Sequence, residues 1–209
     1  MSRVTEEQRA ERRHIADYPR FFDAASEQRD GPLSHPPGTL GRMDVVIRPA
    51  EPGEYGTLGE ITAQAFLRDG LLDFSDSDAY LDELRDVGKR AAAAEVLVAV
   101  ADGTVLGGVT FVAPGGPLAE IAGPGEAEMR MLAVAPAARR RGAGEALVRA
   151  CVERARAAGC LRLVLSTQRT MHAAHRIYER LGFVRVPERD WNPLPDADDT
   201  VLLAYALTL

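Results

Sequence analysis

The sequence predicts one α/β domain built on a mixed, mostly antiparallel sheet flanked by helices, and three observations carry that prediction. Residues 95–101, 105–112 and 127–134 are three successive runs rich in β-branched and apolar residues, the first two joined through Asp102-Gly103, a strong hairpin signal. After Pro136 a glycine-punctuated turn leads into a helical pattern and then a further strand, the order of a βαβ unit with parallel strands. The length of 209 residues suits one domain plus a modest appendage, because single cores usually account for roughly 100 to 200 residues. An all-parallel, doubly wound sheet does not fit the antiparallel first half.

The elements follow in order. Residues 1–42 are charged, carry Gly31-Pro32 and Pro36-Pro37-Gly38, and show little apolar periodicity, so they cannot bury enough surface to offset the entropy of ordering. They read as a flexible extension, within which a short helix over 6–16 is compatible with the pattern, and Met43 is an alternative start. The domain occupies 43–209. Val45-Val46-Ile47-Arg48 reads as a strand, 54–66 as an amphipathic helix, and 78–90 as a second helix capped by Asp76 or Ser77. The meander of three strands comes next. A helix over 142–158 puts Leu147, Val148, Cys151, Val152 and Ala155 on one face and Glu145 and Arg149 at the favourable four-residue spacing elsewhere. A strand over 161–166, a helix over 171–181 and closing strands over 183–186 and 201–207 complete the chain, with no internal repeat.

Composition narrows the function. The apolar share of 46% and charged share of 27% match a soluble globular protein, and no apolar run approaches the roughly 18 residues needed to cross a bilayer. The N-terminus is charged where a secretory signal would be apolar, which predicts a cytoplasmic protein. A net charge of −6 argues against whole-protein attraction to nucleic acid or an anionic membrane, while leaving room for a local basic site at Arg139, Arg140 and Arg141. Cys151 and Cys160 have no partner at metal-ligand spacing and read as reduced packing residues. His172 and His175 lack a third ligand nearby, so no metal is expected.

The segment Arg139-Arg140-Arg141-Gly142-Ala143-Gly144 follows a strand and opens a helix. Glycines there let backbone approach a ligand closely, and the unpaired N–H groups of a first helical turn point outward. The helix dipole adds about half a positive charge, which with three arginines suits a pyrophosphate. A loop with solvated arginines is the plainer reading of the same hexapeptide. The third glycine of a dinucleotide fingerprint is missing, and no Gly-Lys-Ser/Thr is present, so neither NAD nor ATP is indicated.

With Ala127-Glu-Met-Arg-Met-Leu-Ala-Val134, the Arg-x-x-Gly-x-Gly loop and Tyr178-Glu-Arg-Leu-Gly182-Phe183 at matching separations, the chain resembles the GNAT superfamily of N-acetyltransferases over residues 44–208. The resemblance implies a GNAT-like fold and acetyl-CoA as cosubstrate. It implies that the backbone of Leu132, Ala133 and Val134 holds the pantetheine arm and that residues 139–144 hold the pyrophosphate. Tyr178 would touch the cofactor sulfur and protonate the departing thiolate. Seven residues before Tyr178, where the family frequently has Asn, this chain has Met171, so a side-chain amide contact is missing.

Acetyl transfer to a primary amine also needs a proton acceptor, since an amine with a pKa near 10.4 is mostly protonated at neutral pH and exposing its lone pair costs about 5 kcal/mol. On a regular strand Glu128 shares a face with Arg130, Leu132 and Val134, which would set its carboxylate beside the thioester, as the family often arranges. Pairing of Glu128 with Arg130 or another arginine is the structural alternative, a water chain could replace the base, and Glu126 is a second candidate. Trp191 either lines an acceptor pocket or anchors packing. Asp69, Asp73, Asp76, Asp78, Asp82 and Glu83 form either a cation-favouring wall or a solvated acidic face. Three functions are compatible with these features: an N-acetyltransferase working through a ternary complex, an acyl-CoA-binding sensor without turnover, and a protein-interaction role for the extension. The enzyme reading implies a small-molecule or peptide amine as partner, no nucleic acid or membrane, and a monomer or homodimer.

Overall fold

The computed structural model describes residues 44–68, 78–193 and 201–209. Along the chain run β1 (Val46–Pro49), a 3-10 turn (Pro52–Glu54), α1 (Tyr55–Arg68), α2 (Asp78–Arg85) and α3 (Val87–Ala93). Then come β2 (Glu95–Ala101), β3 (Thr104–Val112), β4 (Glu126–Val134), a 3-10 turn (Pro136–Ala138), α4 (Ala143–Ala157) and β5 (Arg162–Thr167). The chain closes with α5 (His172–Arg180), β6 (Val184–Arg185), a 3-10 turn (Pro187–Arg189) and β7 (Leu203–Thr208). The strands form one sheet in the order β1-β2-β3-β4-β5-β7-β6, antiparallel throughout except for the parallel pair β4–β5. This is the mixed, mostly antiparallel architecture expected.

Helices cover both faces of the sheet. On one face, the expected stripe of Leu147, Val148, Cys151, Val152 and Ala155 on α4 is buried and packs into a core with Leu97, Met129, Leu163 and Leu165. Each buried Leu or Val among them contributes roughly 1.5–3 kcal/mol through burial. On the other face Leu58 of α1 and Val87 of α3 meet Val96 and Val98. Close docking of α1 requires Gly108 on β3, where a Cβ would stand 2.5 Å from the Leu97 carbonyl oxygen and 2.7 Å from Leu58 Cδ1.

The single helix expected over 78–90 is two helices. Asp86 Oδ1 accepts the Lys89 N–H at 2.8 Å, the bond of an N-cap, and this ends α2 and starts α3. The buried Arg90 then donates Nη1 to the carbonyls of Glu83 at 2.8 Å and Leu84 at 3.0 Å, serving acceptors that the end of α2 leaves over. The proposed caps Asp76 and Ser77 lie outside the described residues.

Residues 1–43 also lie outside them. Among the described residues β1 is the edge strand, paired with β2, and its Val46 is exposed. Deleting residues 1–42 is expected to leave the melting temperature and cofactor affinity nearly unchanged. A fall of several degrees on deletion would show that the extension packs on the domain.

Candidate functional site

The centre of the site is an irregularity in β4. Thr110 pairs with Arg130 and Gly108 with Ala133, so Met131 and Leu132 together face Val109, a bulge in which Met131 takes the left-handed φ of 52°. The extra residue reverses the alternation of side chains. Ala127 and Met129 point into the core under α4 before the bulge, and Leu132 and Val134 pack against that core after it. The expected common face for Glu128, Arg130, Leu132 and Val134 therefore does not form, because it required a regular strand. Glu128 and Arg130 project to the opposite face of the sheet.

The same bulge opens the sheet. The parallel ladder between β4 and β5 runs from Glu126↔Arg162 to Met129↔Leu165 and stops, while β5 continues through Ser166 and Thr167 paired to β7. From Arg130 to Val134 the β5-facing edge of β4 lines a wedge between the two strands. Backbone groups of Leu132, Ala133 and Val134 run along it.

The wedge leads to the arginine loop. Arg140 (φ 62°) and Gly142 (φ 86°) are both left-handed, and α4 begins at Ala143. The first intrahelical bond runs from the Ala146 N–H to the Gly142 carbonyl at 2.9 Å, so the N–H groups of Ala143, Gly144 and Glu145 precede the helical ladder and carry the positive end of its dipole. Arg139, Arg140, Arg141 and Gly142 are exposed and Ala143 is buried. A Cβ at Gly142 would meet nothing within 4 Å, so positive φ demands glycine there and the space in front stays open. A Cβ at Gly144 would stand 3.5 Å from Val134 Cγ2 and from Ile177 Cδ1, which fixes this turn against both the end of β4 and α5.

Tyr178 sits on α5 with its ring buried against Phe183, 5.8 Å between centroids, and Tyr205, 6.0 Å. The helix ends in a Schellman turn: the Phe183 N–H reaches the Tyr178 carbonyl at 3.0 Å around Gly182 at φ 91°, which brings the Phe183 ring onto Tyr178. Burial holds the phenol above its ordinary value of about 10, with Cys151 and Tyr205 adding to the shift. Burial also pushes the Cys151 thiol up to about 12, the state of an inert packing residue. At the top of β5, Thr167 Oγ1 donates to Met171 Sδ at 3.3 Å.

The remaining aromatic candidates are engaged in packing. His175 bonds the Gln168 carbonyl through Nε2 at 2.9 Å and lies 5.6 Å from the Tyr205 ring, and burial lowers its pKa. His172 meets it edge-on at 6.0 Å. The Trp191 indole donates to Ser166 Oγ at 2.9 Å and its backbone bridges to Leu202, so this side chain anchors the C-terminal segment beside the end of β5.

Glu128 is 1% exposed. Its Oε2 accepts three backbone N–H groups, from Glu120 at 2.8 Å, Ile121 at 2.9 Å and Ala122 at 3.1 Å. Burial raises its pKa against the pull of those N–H groups and of Arg130. Arg130 itself bonds the Leu118 carbonyl and pairs with Glu120 at 3.3 Å. Neighbouring Glu126 is committed elsewhere: Arg189 grips it with bonds of 2.6 and 3.1 Å, Gly123 donates at 2.9 Å and Arg162 stands 3.6 Å away. Burial pushes the Glu126 pKa up, but those partners outweigh it and the net shift is down. Glu128 and Arg130 fasten segment 113–125 over β4. Its glycines and prolines mark a loop, and no local signal ties it to Glu128. Of the acidic residues around the second helix, Glu83 pairs with Lys89 and Asp82 approaches Arg85, both at the surface, while Asp69, Asp73 and Asp76 and the Asp78 side chain lie outside the described residues.

A profile of the acetyltransferase (GNAT) family matches residues 61–183. The chain belongs to this family. Solved structures show the same fold. A GNAT-family acetyltransferase of Staphylococcus aureus Mu50 superposes with a TM-score of 0.62 at 12% identity, covering 79% of this chain and 99% of its own. The Salmonella typhimurium protein yncA, determined with its cofactor acetyl-CoA, has a TM-score of 0.60 at 23% identity, with 79% and 94% coverage. A Brucella melitensis GNAT acetyltransferase in complex with acetyl-CoA has a TM-score of 0.52 at 25% identity, with 80% and 89% coverage. No curated protein matches.

Proposed function

We propose that the protein is an acetyl-CoA-dependent N-acetyltransferase that moves the acetyl group to a primary amine by direct attack in a ternary complex. The observation that carries this reading is the β5-facing edge of β4 left unpaired beyond Met129 beside the Met131 bulge, whose far end at Val134 packs against Gly144 in the turn that opens α4. The donor set fits the cofactor: an extended arm for the backbone of Leu132, Ala133 and Val134, and a pyrophosphate for the N–H groups of residues 142–144 and the guanidinium groups of Arg139, Arg140 and Arg141. When bound, acetyl-CoA supplies an activated thioester.

The chain's own residues supply the remainder. Glu128 takes the proton of the attacking amine, directly or through water, with Oε2 held by three amides and Oε1 left to receive it. Tyr178 offers its hydroxyl to the departing sulfur. Direct attack is favoured because the Cys151 thiol is buried and protonated, the opposite of an activated nucleophile. A screen of peptides, polyamines and aminoglycosides for amine-dependent release of free CoA tests the reading; acetyl-CoA binding without release in any pool would favour the sensor.

Binding of CoA is expected to weaken with salt, since a helix end and arginines meet the phosphates. Gly142→Asp should weaken it by about 10- to 100-fold, because a side chain at φ 86° costs roughly 1–2 kcal/mol and the carboxylate repels the anion. Calorimetry that detects no CoA binding to the wild type at low salt would reject the cofactor assignment.

A further inference from the structure

We propose that Arg180 reads the 3′-phosphate of the cofactor and that Glu145 holds its guanidinium in place until the cofactor arrives. The inference rests on the acetyl-CoA reading above and concerns a part of the ligand that the loop 139–144 does not address.

Glu145 stands in the first turn of α4, among the residues whose N–H groups precede the helical ladder. Its carboxylate is shared by two arginines. Arg149, one turn further along α4, reaches Oε1 with Nη2 at 2.7 Å and Nε at 3.1 Å. Arg180, from the last turn of α5, reaches Oε2 with the same pair of atoms at 2.7 and 3.1 Å. Two guanidinium groups against one carboxylate leave an excess positive charge beside the anion site.

The placement is set by packing. Ile177, three residues before Arg180 and so on the same side of α5, comes within 3.5 Å of where a Gly144 Cβ would stand. Arg180 therefore crosses from α5 to the mouth of the loop, whereas Arg149 sits deeper along α4. The Arg180 and Arg149 side chains are 57% and 61% exposed, and ion pairs so open to water contribute little, so either guanidinium can be redirected at small cost.

A pyrophosphate on the loop amides would bring negative charge toward Glu145, which is unfavourable unless cations balance it. Arg180 is such a cation, and its planar fork matches phosphate oxygens in a way a helix end does not. The amides of 142–144 serve any pyrophosphate equally; they would not distinguish CoA from 3′-dephospho-CoA. Arg180 gives that distinction a physical source.

The test is calorimetric titration of the full chain with CoA and with 3′-dephospho-CoA, for wild type, Arg180→Gln, Arg180→Lys and Arg149→Gln. Wild type is expected to prefer CoA by about tenfold, a difference typical of one charge-assisted contact. Arg180→Gln should bring the two affinities within about twofold by weakening CoA alone, at an unchanged melting temperature, while Arg180→Lys keeps most of the preference as a point charge. Equal wild-type affinities, or a preference that survives Arg180→Gln, overturn the inference and leave the cofactor assignment standing. A preference abolished by Arg149→Gln and kept in Arg180→Gln also overturns it. Absence of binding by either nucleotide rejects both.

Discussion

Replacing Glu128 by glutamine is expected to lower kcat/KM for an amine acceptor by about 10²- to 10³-fold, within the usual range for loss of a general base. The acceptor enters mostly protonated, and exposing its lone pair costs about 5 kcal/mol at neutral pH. Glu128 can meet that demand because burial raises its pKa while three amides fix its position. The working form is the carboxylate, so activity should rise with pH through a pKa displaced above the ordinary value of about 4.3, and this limb should vanish in Glu128→Gln. Glutamine keeps the size of the side chain and a carbonyl oxygen for the Glu120, Ile121 and Ala122 N–H groups. Wild-type kcat/KM with an unaltered pH profile in the variant would transfer the role of base to water. Loss of melting temperature and CoA affinity together would instead mean that Glu128 serves only to fasten segment 113–125.

Tyr178→Phe is expected to lower turnover by roughly 10²-fold, the lower end of general acid effects, with acetyl-CoA affinity nearly unchanged. A thiol near 8.5 is a stronger acid than a phenol near 10, so full proton donation to a free thiolate is uphill by about 1.5 units, or about 2 kcal/mol. Burial raises the Tyr178 value further, which deepens that deficit. The hydroxyl must therefore act early, as a hydrogen bond to sulfur while the carbon–sulfur bond breaks. Phenylalanine preserves the ring contacts with Phe183 and Tyr205, so folding should be intact. Turnover at the wild-type rate would reduce Tyr178 to a packing residue; simultaneous loss of cofactor binding would show that α5 had been disturbed.

What the sequence determined by itself lies in its local periodicities and turn chemistry. Alternation placed β2 at residues 95–101 and its hairpin partner within one residue of β3, and the 3.6-residue stripe of α4 named five of the six side chains that are buried there. The turn from Arg139 to Gly144 into α4 was legible because a glycine opening a helix is itself a conformational signal, here realised as φ 86° at Gly142. The break at Asp86 escaped because an Asp within a helical pattern becomes an N-cap only when Arg90 folds back onto the carbonyls of α2.

Only tertiary structure decided the site itself. No feature of Met131 announces a left-handed residue; the bulge follows from pairing β4 with β3 on one side and only partly with β5 on the other. That one extra residue turns Leu132 and Val134 to the core, on the face opposite Glu128, and lies just beyond the end of the ladder to β5. The partners that then hold the carboxylates come from other segments, Glu128 from residues 120–122 and Glu126 from Arg189, 63 positions away. Side-chain periods of 2 and 3.6 are written in neighbouring residues, whereas register, bulges and the burial of a charge depend on which distant strands and loops pack together, and a single strand's sequence does not contain that information.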